Sequence, residues 1–495
     1  MTQVLLGQSY YLHFDAKQRE AMMPYPPLGT LYAVSYLRER GYEVGLFDAM
    51  LAEGEHEWAE AVARERPRFA VIYEDSFNYL SKMCLTRMRE AAFKMTAAAK
   101  EAGGMVIISG SDATDQQELY FAAGADAIIV GEGEATLAQL LDRLTGRDAG
   151  DPRAIVGVSW PEQRTMVKRD FIRALDELPF PAWDLVDIPK YRRIWLERHG
   201  YYSMNMVTTR GCPYHCNWCA KPIYGQRYNV RSPENVAAEL LWLKETHHPD
   251  HIWFADDIFG LKPNWIERYG AEVERLGAKV PFKCLLRADL IKDSVVEGLR
   301  RAGCRIVWVG AESGAQHVLD AMDKGTTVEQ IYTAAKKLHA AGIQIAFFLQ
   351  FGYPGETRAD IEKTIKMVRD CNPDDIGISV SYPLPGTKFH EQVRRQMGEK
   401  QNWVDSNDLE MMFQGAYTTE FYRVLHQVIH HEFRMRKAAG RMGRALVRPW
   451  TLRPSHLRDA LSLPRHWAGL QSRRRELNAL EKVKRSEITP LQPAG

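Results

Sequence analysis

The feature that most narrows the choice of fold is an alternation that runs along most of the chain. Short apolar runs of strand length are followed by segments whose apolar residues recur at helical spacing. That pattern builds parallel sheets covered by helices on both faces, which places the chain in the α/β class. In the first part the runs are QVLLGQS from Gln3, EVGLFDA from Glu43, AVIYED from Ala70, MVIISGS from Met105 and AIIVGE from Ala127. Leu28, Leu31, Tyr32 and Tyr36 share one helix face between them, and Leu137, Leu140, Leu141 and Leu144 share another. Residues 1–147 therefore read as a doubly wound, five-stranded, Rossmann-like domain. Ligands of such sheets lie beyond the carboxyl ends of the strands, here EDSFN (74–78), SGSDAT (109–114) and GEGE (131–134).

Residues 148–199 read as a linker, in which the prolines of ALDELPFPAWDLVDIPKY predict an ordered, non-helical crossing. Over 200–400 the alternation restarts with MNMVTTR from Met204, HIWFADD from His251, FKCLLRA from Phe282, RIVWVGAE from Arg305, QIAFFLQFG from Gln344 and DIGISVSYP from Asp375. Successive strand–helix units with right-handed crossovers curl into a partial (β/α)6 barrel. Chemistry in barrels belongs to the carboxyl ends of the strands, and Arg210, Asp256, Asp257, Arg287, Glu312, Gly352 and Tyr382 stand there. Residues 401–495 read as helical and then basic.

Length and charge add three expectations. A chain of 495 residues exceeds one ordinary core. It has no run of 18 apolar residues and no signal-peptide pattern at its start, so a cytoplasmic location is expected. The net charge of +2 hides an asymmetry: Phe433 to Arg485 holds fifteen Lys and Arg against three Asp and Glu, +12, leaving −10 elsewhere. A solvated helical tail is the plain reading, and a surface for nucleic acid, anionic lipid or an acidic partner is the sharper one.

Seven cysteines, an odd number with three clustered, point to metal chemistry in a reducing compartment rather than to disulfides. RGCPYHCNWCAKP spaces Cys212, Cys216 and Cys219 as C-x3-C-x2-C directly after the first barrel strand. Three thiolates can bind three irons of a cubane and leave the fourth open to an exogenous ligand. A structural zinc site would need a fourth ligand; His215 lies within the loop, but no second knuckle is visible. Cys84, Cys284, Cys304 and Cys371 stand alone in apolar surroundings and read as ordinary buried cysteines.

The cysteine spacing, the aromatic Trp218 and the six-unit barrel together resemble the radical SAM superfamily. The resemblance implies a 4Fe-4S cluster on Cys212, Cys216 and Cys219 that chelates S-adenosylmethionine (SAM) and cleaves it to a 5′-deoxyadenosyl radical. It implies SAM contacts from Trp218, whose ring packs beside the cofactor or else anchors the loop, and from Asp256 or Asp257, where the family has a Gly-Gly-Glu-like motif. Glu312 and Ser313 correspond to the ribose or carboxylate contacts, and Gly352 and Gly355 to close approach by adenine or to a plain turn. Arg287 pairs with the methionine carboxylate, with substrate or within the structure, and Tyr382 closes the adenine side.

With its N-terminal domain the chain resembles the cobalamin-binding branch of that superfamily, which includes the anaerobic magnesium-protoporphyrin ester cyclase, the P-methylase and C-methyltransferases. Cobalamin contacts are then implied for Asp75, Ser76, Asn78, Ser109, Gly110, Ser111, Gly131, Glu132, Gly133 and Glu134. The D-x-H-x-x-G motif that supplies a lower histidine ligand to cobalt is missing, so base-off cobalamin without that ligand is expected. The implied reaction is methylation of an unactivated carbon in a small-molecule or lipid-like substrate, with electrons from a flavodoxin or ferredoxin. A tetrapyrrole-cyclase-like cyclisation or rearrangement and a non-catalytic corrinoid or nucleic-acid-binding role are the alternatives. Nucleic acid is not the expected partner; peripheral membrane contact through the basic region is the one left open. No side chain can be named as a catalytic acid or base.

Overall fold

The computed structural model describes residues 3–447 and 454–483. Its first sheet contains β1 Val4–Gly7, β2 Val44–Phe47, β3 Phe69–Tyr73, β4 Met105–Ser109, β5 Ala127–Ile129 and β6 Val158–Ser159, in the order β2-β1-β3-β4-β5-β6. The first five are parallel, and helices cover both faces. Every residue of β3 is buried, which is why the run in the sequence does not alternate. The strand order reverses between β1 and β3, and there Glu74 accepts hydrogen bonds from the Ser9 amide and, at 2.5 Å, from its hydroxyl.

Two features of the linker differ from expectation. β6 adds a sixth strand, antiparallel to β5 with Ile129 opposite Val158. Two residues are too few to show a period, so the sequence could not reveal it. The crossing is also helical at its end: Asp187 caps the helix Ile188–His199 by accepting from the Lys190 amide, and Pro189 sits in its first turn, where no intrahelical N–H is missed.

The second sheet contains β7 Ser203–Met206, then, after the pair β8 Thr209–Arg210 and β9 Asn229–Val230, the strands β10 His251–Phe254, β11 Phe282–Leu286, β12 Cys304–Glu312, β13 Gln344–Phe351 and β14 Asp375–Val380. Strands β7, β10, β11, β12, β13 and β14 pair in parallel with each sequential neighbour, the topology of a curled half-barrel. MNMVTTR is thus two strands. The chain leaves the sheet after Met206, and β8 pairs antiparallel with β9 to close the base of the cysteine loop.

Two long helices, Thr419–Val447 and Pro454–Val483, pack together after the barrel. Phe421, Val424, Leu425, Val428, Leu470 and Leu477 seat them in the barrel's own core cluster. Among the described residues no helix is long and apolar enough to cross a membrane. Positions 448–453 and 484–495 of the basic stretch lie outside the described residues.

Candidate active site

The carboxyl ends of the two sheets face each other. After β3, the Ser76 hydroxyl lies 2.7 Å from that of Tyr224 in the cysteine loop, and Lys82 pairs at 2.5 Å with Asp257 beyond β10. Tyr382, beyond β14, donates to the Met83 carbonyl at 3.0 Å. Beyond β5, Glu132 and Glu134 both bind the guanidinium of Arg210 on β8, Glu134 at 2.7 Å, with all three side chains at least 96% buried. Tyr32, Phe77 and Tyr224 ring the same guanidinium. Burial works against the Arg210 charge, but Glu134 and Glu132 outweigh it and hold the group protonated.

Cys212, Cys216 and Cys219 lie on the loop between β8 and β9, all three as free thiols. Burial pushes the Cys212 thiol up, and that of Cys219 up to about 12. Thiols so placed ionise only if a cation compensates the charge, which fits an iron–sulfur group. Among the described residues no three His, Cys, Asp or Glu side chains come close enough to hold a single metal ion. His215, the one further side chain of the loop that could ligate a metal, is exposed. Cys84, Cys284, Cys304 and Cys371 are buried and unpaired, as their surroundings in the sequence imply.

Gly211, which opens the loop, has φ +79°, and a Cβ there would stand 2.4 Å from the Arg227 carbonyl oxygen. Gly211→Ala is expected to cost roughly 2 kcal/mol or more and to lower the iron retained after anaerobic reconstitution. Iron content and unfolding curves equal to those of the parent would contradict this.

Arg287 reaches the loop directly. Its guanidinium lies over the Tyr214 ring at 3.6 Å and 3.8 Å from Cys216 Sγ, held by Asp289 at 3.0 Å and the Gly325 carbonyl. Glu312 has φ +56° at a register shift in β12, an unusual backbone state for a residue with a side chain. Its carboxylate pairs at 2.7 Å with Lys324, and both side chains are buried. Trp218 packs against the cluster of Val318, Tyr353 and Phe389, and its buried indole N–H has no partner.

Other expected SAM contacts are engaged elsewhere. Asp256 receives four donors: the amides of Thr208 and Thr209 at 2.7 and 2.8 Å and their hydroxyls at 2.7 and 3.1 Å. It secures the break between β7 and β8, so of the two aspartates it is the one committed to structure. Ser313 is fully buried, and its hydroxyl faces Thr364 and accepts from the Ala315 amide. Gly352 has φ +81° and borders Met411 and Tyr422, while Gly355 has φ +87° with open space around it, a plain turn. The Tyr382 ring lies against Trp403, tilted by 34° with centroids 4.3 Å apart, and its hydroxyl accepts from the Trp403 amide, wedging the segment after the barrel against the first domain.

The first-domain set divides similarly. Asp75 is a helix cap, accepting from the amides of Leu28 and Gly29 at 3.2 and 2.9 Å, and Asn78 caps the short helix Tyr79–Lys82 through the Leu80 amide. Neither has its carboxyl or amide oxygen turned out as an open ligand. Glu132 and Glu134 are spent on Arg210, and Glu132 also accepts from the Ile172 amide. Ser109, Gly110, Ser111, Gly131 and Gly133 are the close-packed remainder. A Cβ on Gly133 would stand 2.6 Å from the Tyr73 hydroxyl and 2.8 Å from that of Ser109, and one on Gly110 would stand 2.8 Å from Glu74. Gly131 has φ +91°, and Ser111 lies 3.5 Å from the Cys84 sulfur.

Residues that the sequence did not single out complete the site: Lys324 on Glu312, Tyr214 under Arg287, Lys82 on Asp257, and Glu356. Glu356 is 1% exposed, accepts from the Gly352 amide at 2.7 Å, and burial pushes its carboxyl up to about 8. The folded state then binds this proton more tightly than the unfolded chain does. The associated stability is fully present below about pH 4.5 and is lost as pH rises through about 8, by up to about 1.4 kcal/mol per unit. Glu356→Gln keeps an acceptor for Gly352 and cannot ionise, so its stability relative to the parent is expected to climb over that range. Anaerobic urea unfolding at several pH values checks this, and parallel profiles would contradict it.

Comparison with known proteins agrees with this layout. The model of the radical SAM superfamily matches residues 206–368, and that of the B12 binding domain matches residues 19–141. An uncharacterized methyltransferase of Pyrococcus horikoshii is 27% identical over 383 residues, 74% of this chain and 78% of that protein. The anaerobic magnesium-protoporphyrin IX monomethyl ester cyclase of Rubrivivax gelatinosus is 26% identical over 397 residues, 77% of this chain and 69% of its own. In fold, the chain superposes with a TM-score of 0.65 and 18% identity on the radical S-adenosylmethionine methyltransferase TsrM from Kitasatospora setae, solved with cobalamin and a [4Fe-4S] cluster bound, covering 80% of this chain and 78% of that one. With both domains matched in sequence and facing each other in the structure, the chain belongs to the radical SAM enzymes that carry a B12-binding domain.

Proposed function

We propose that Cys212, Cys216 and Cys219 hold a 4Fe-4S cluster, that SAM binds over it, and that the enzyme methylates an unactivated carbon of a small-molecule or lipid-like substrate between the two domains. The observation that carries this reading is the juxtaposition of the carboxyl ends of the two sheets, the thiol loop meeting the first domain through Tyr224 and Ser76 and the end of β10 meeting it through Asp257 and Lys82. When bound, the cluster would supply the electron that cleaves one SAM to methionine and a 5′-deoxyadenosyl radical, and cobalamin remethylated by a second SAM would supply the methyl group.

The chain's own residues orient and enclose. Arg287, beside Cys216 and above Tyr214, offers a fixed cation to the methionine carboxylate. Glu312, held in position by Lys324, offers an acceptor to ribose hydroxyls, and Asp257 is the aspartate left to meet the methionine amino group. Trp218 anchors the loop, and its orphan N–H is the donor left for a bound molecule. On the cobalamin side Ser76, Ser109, Gly110, Ser111, Gly131 and Gly133 line the approach. Asp75 and Asn78, as caps, would hold the turn beside a corrinoid, and base-off binding follows from the missing D-x-H-x-x-G motif. We place the protein in the cytoplasm with a flavodoxin or ferredoxin as its electron donor.

The likeness to the ester cyclase sustains a second reading, in which the same cofactors cyclise or rearrange the substrate. Product mass separates the two. Incubation with methyl-deuterated SAM is expected to add one labelled CH2 unit to an accepted substrate, and conversion with no labelled methyl would reject methylation in favour of cyclisation.

A further inference from the structure

The C-terminal hairpin carries a surface that the barrel does not use. Its inner part is anchored: Glu432 pairs with Arg369 and with Arg474 at 2.6 Å, and Lys437 reaches Asp374. The stretch that contains this anchorage is strongly basic. From Phe433 to Arg475 the sequence has twelve Lys and Arg, Lys437 and Arg474 among them, and a single acidic residue, Asp459. On the second helix Arg458, Leu461, Arg465, Ala468 and Ser472 recur at three- and four-residue spacing, and all are exposed. Leu461 is 72% and Trp467 59% exposed, and Val447 at the end of the first helix is 78% exposed. A helix that merely faces water carries polar residues outward, whereas this one turns leucine, tryptophan and alanine outward among arginines.

We propose that this outer face docks the enzyme onto the surface of an anionic lipid bilayer. The arginines pair with headgroup phosphates, Leu461 enters the interfacial layer from the exposed stripe, and Trp467, about 120° round the helix, meets the headgroups at its flank. Charge alone would serve nucleic acid equally well. The exposed aliphatic side chains decide for a bilayer, because phosphate and base contacts would leave them in water. This inference concerns where the enzyme sits and does not depend on whether the reaction is methylation or cyclisation.

The test is co-sedimentation of the full-length, anaerobically purified protein with vesicles of phosphatidylcholine alone or mixed with phosphatidylglycerol. Binding is expected for the mixed vesicles only, weakening as salt is raised. Combined Arg458→Gln, Arg465→Gln and Arg475→Gln should lower affinity by roughly fivefold per arginine. Leu461→Ser with Trp467→Ser should weaken binding at unchanged charge. All these side chains are exposed, so helix content and SAM cleavage should stay at parental levels and report intact folding. No sedimentation, equal sedimentation with both vesicle types, or undiminished binding by either variant would overturn the proposal. So would tighter binding to an RNA oligonucleotide that ignores the loss of Leu461 and Trp467.

Discussion

Alanine at Cys212, Cys216 or Cys219 is expected to strip the reconstituted protein of its iron–sulfur absorbance and to drop 5′-deoxyadenosine formation from SAM to the uncatalysed background. A cubane with only three protein ligands loses a third of its anchorage with each thiol. The same substitution at Cys84, Cys284, Cys304 or Cys371 should leave iron content unchanged, since each is buried and none belongs to the loop between β8 and β9. Anaerobic iron and sulfide analysis beside product chromatography reads both halves of the comparison. Iron lost equally from both groups of variants would mean general destabilisation and would remove the assignment.

The second large effect is expected at Arg210. Arg210→Ala leaves Glu132 and Glu134, 3% and 2% exposed, facing a site with no cation. Removing one partner of a buried charge cluster typically costs about 3–5 kcal/mol, much of it the penalty for the charges left behind. Burial already raises the Glu132 carboxyl, which would take up a proton once its cation is gone, so the loss should shrink as pH falls. Combining Arg210→Met with Glu132→Gln and Glu134→Gln should recover most of the stability, since no uncompensated charge remains. A loss below about 1 kcal/mol for Arg210→Ala would show that solvent reaches these groups.

Strands such as Phe69–Tyr73 were legible in the sequence because they are buried on both faces and read as unbroken apolar runs, while those of the barrel, such as Phe282–Leu286 with its alternation of buried and half-buried residues, were legible as runs of strand length between helical segments. Strand β6 was not, because Val158–Ser159 is shorter than any period. Nor was the helix Ile188–His199, since a proline in a first turn carries the same letter as one that breaks a helix. At the site, the thiol spacing was local and therefore visible. The partners of the carboxylates were not, because they are tertiary. Asp256 and Asp257 are adjacent in sequence, yet one secures Thr208 and Thr209 and the other reaches across to Lys82. Glu132 and Glu134 sit in a glycine-rich turn that looks made for a ligand, and their partner Arg210 lies in another domain. Lys324 gives no sign in DKGTT that it is buried against Glu312.

The account rests on a three-thiol iron–sulfur centre that faces a corrinoid across the domain boundary. Anaerobic reconstitution with iron, sulfide and hydroxocobalamin, followed by absorption and EPR spectroscopy with and without SAM, tests both at once. The result predicted is a 4Fe-4S signal that shifts when SAM is added, together with a single retained corrinoid whose spectrum shows no nitrogen ligand below cobalt. Zinc in place of iron on the loop, or a cluster signal indifferent to SAM in protein that retains no corrinoid, would contradict it.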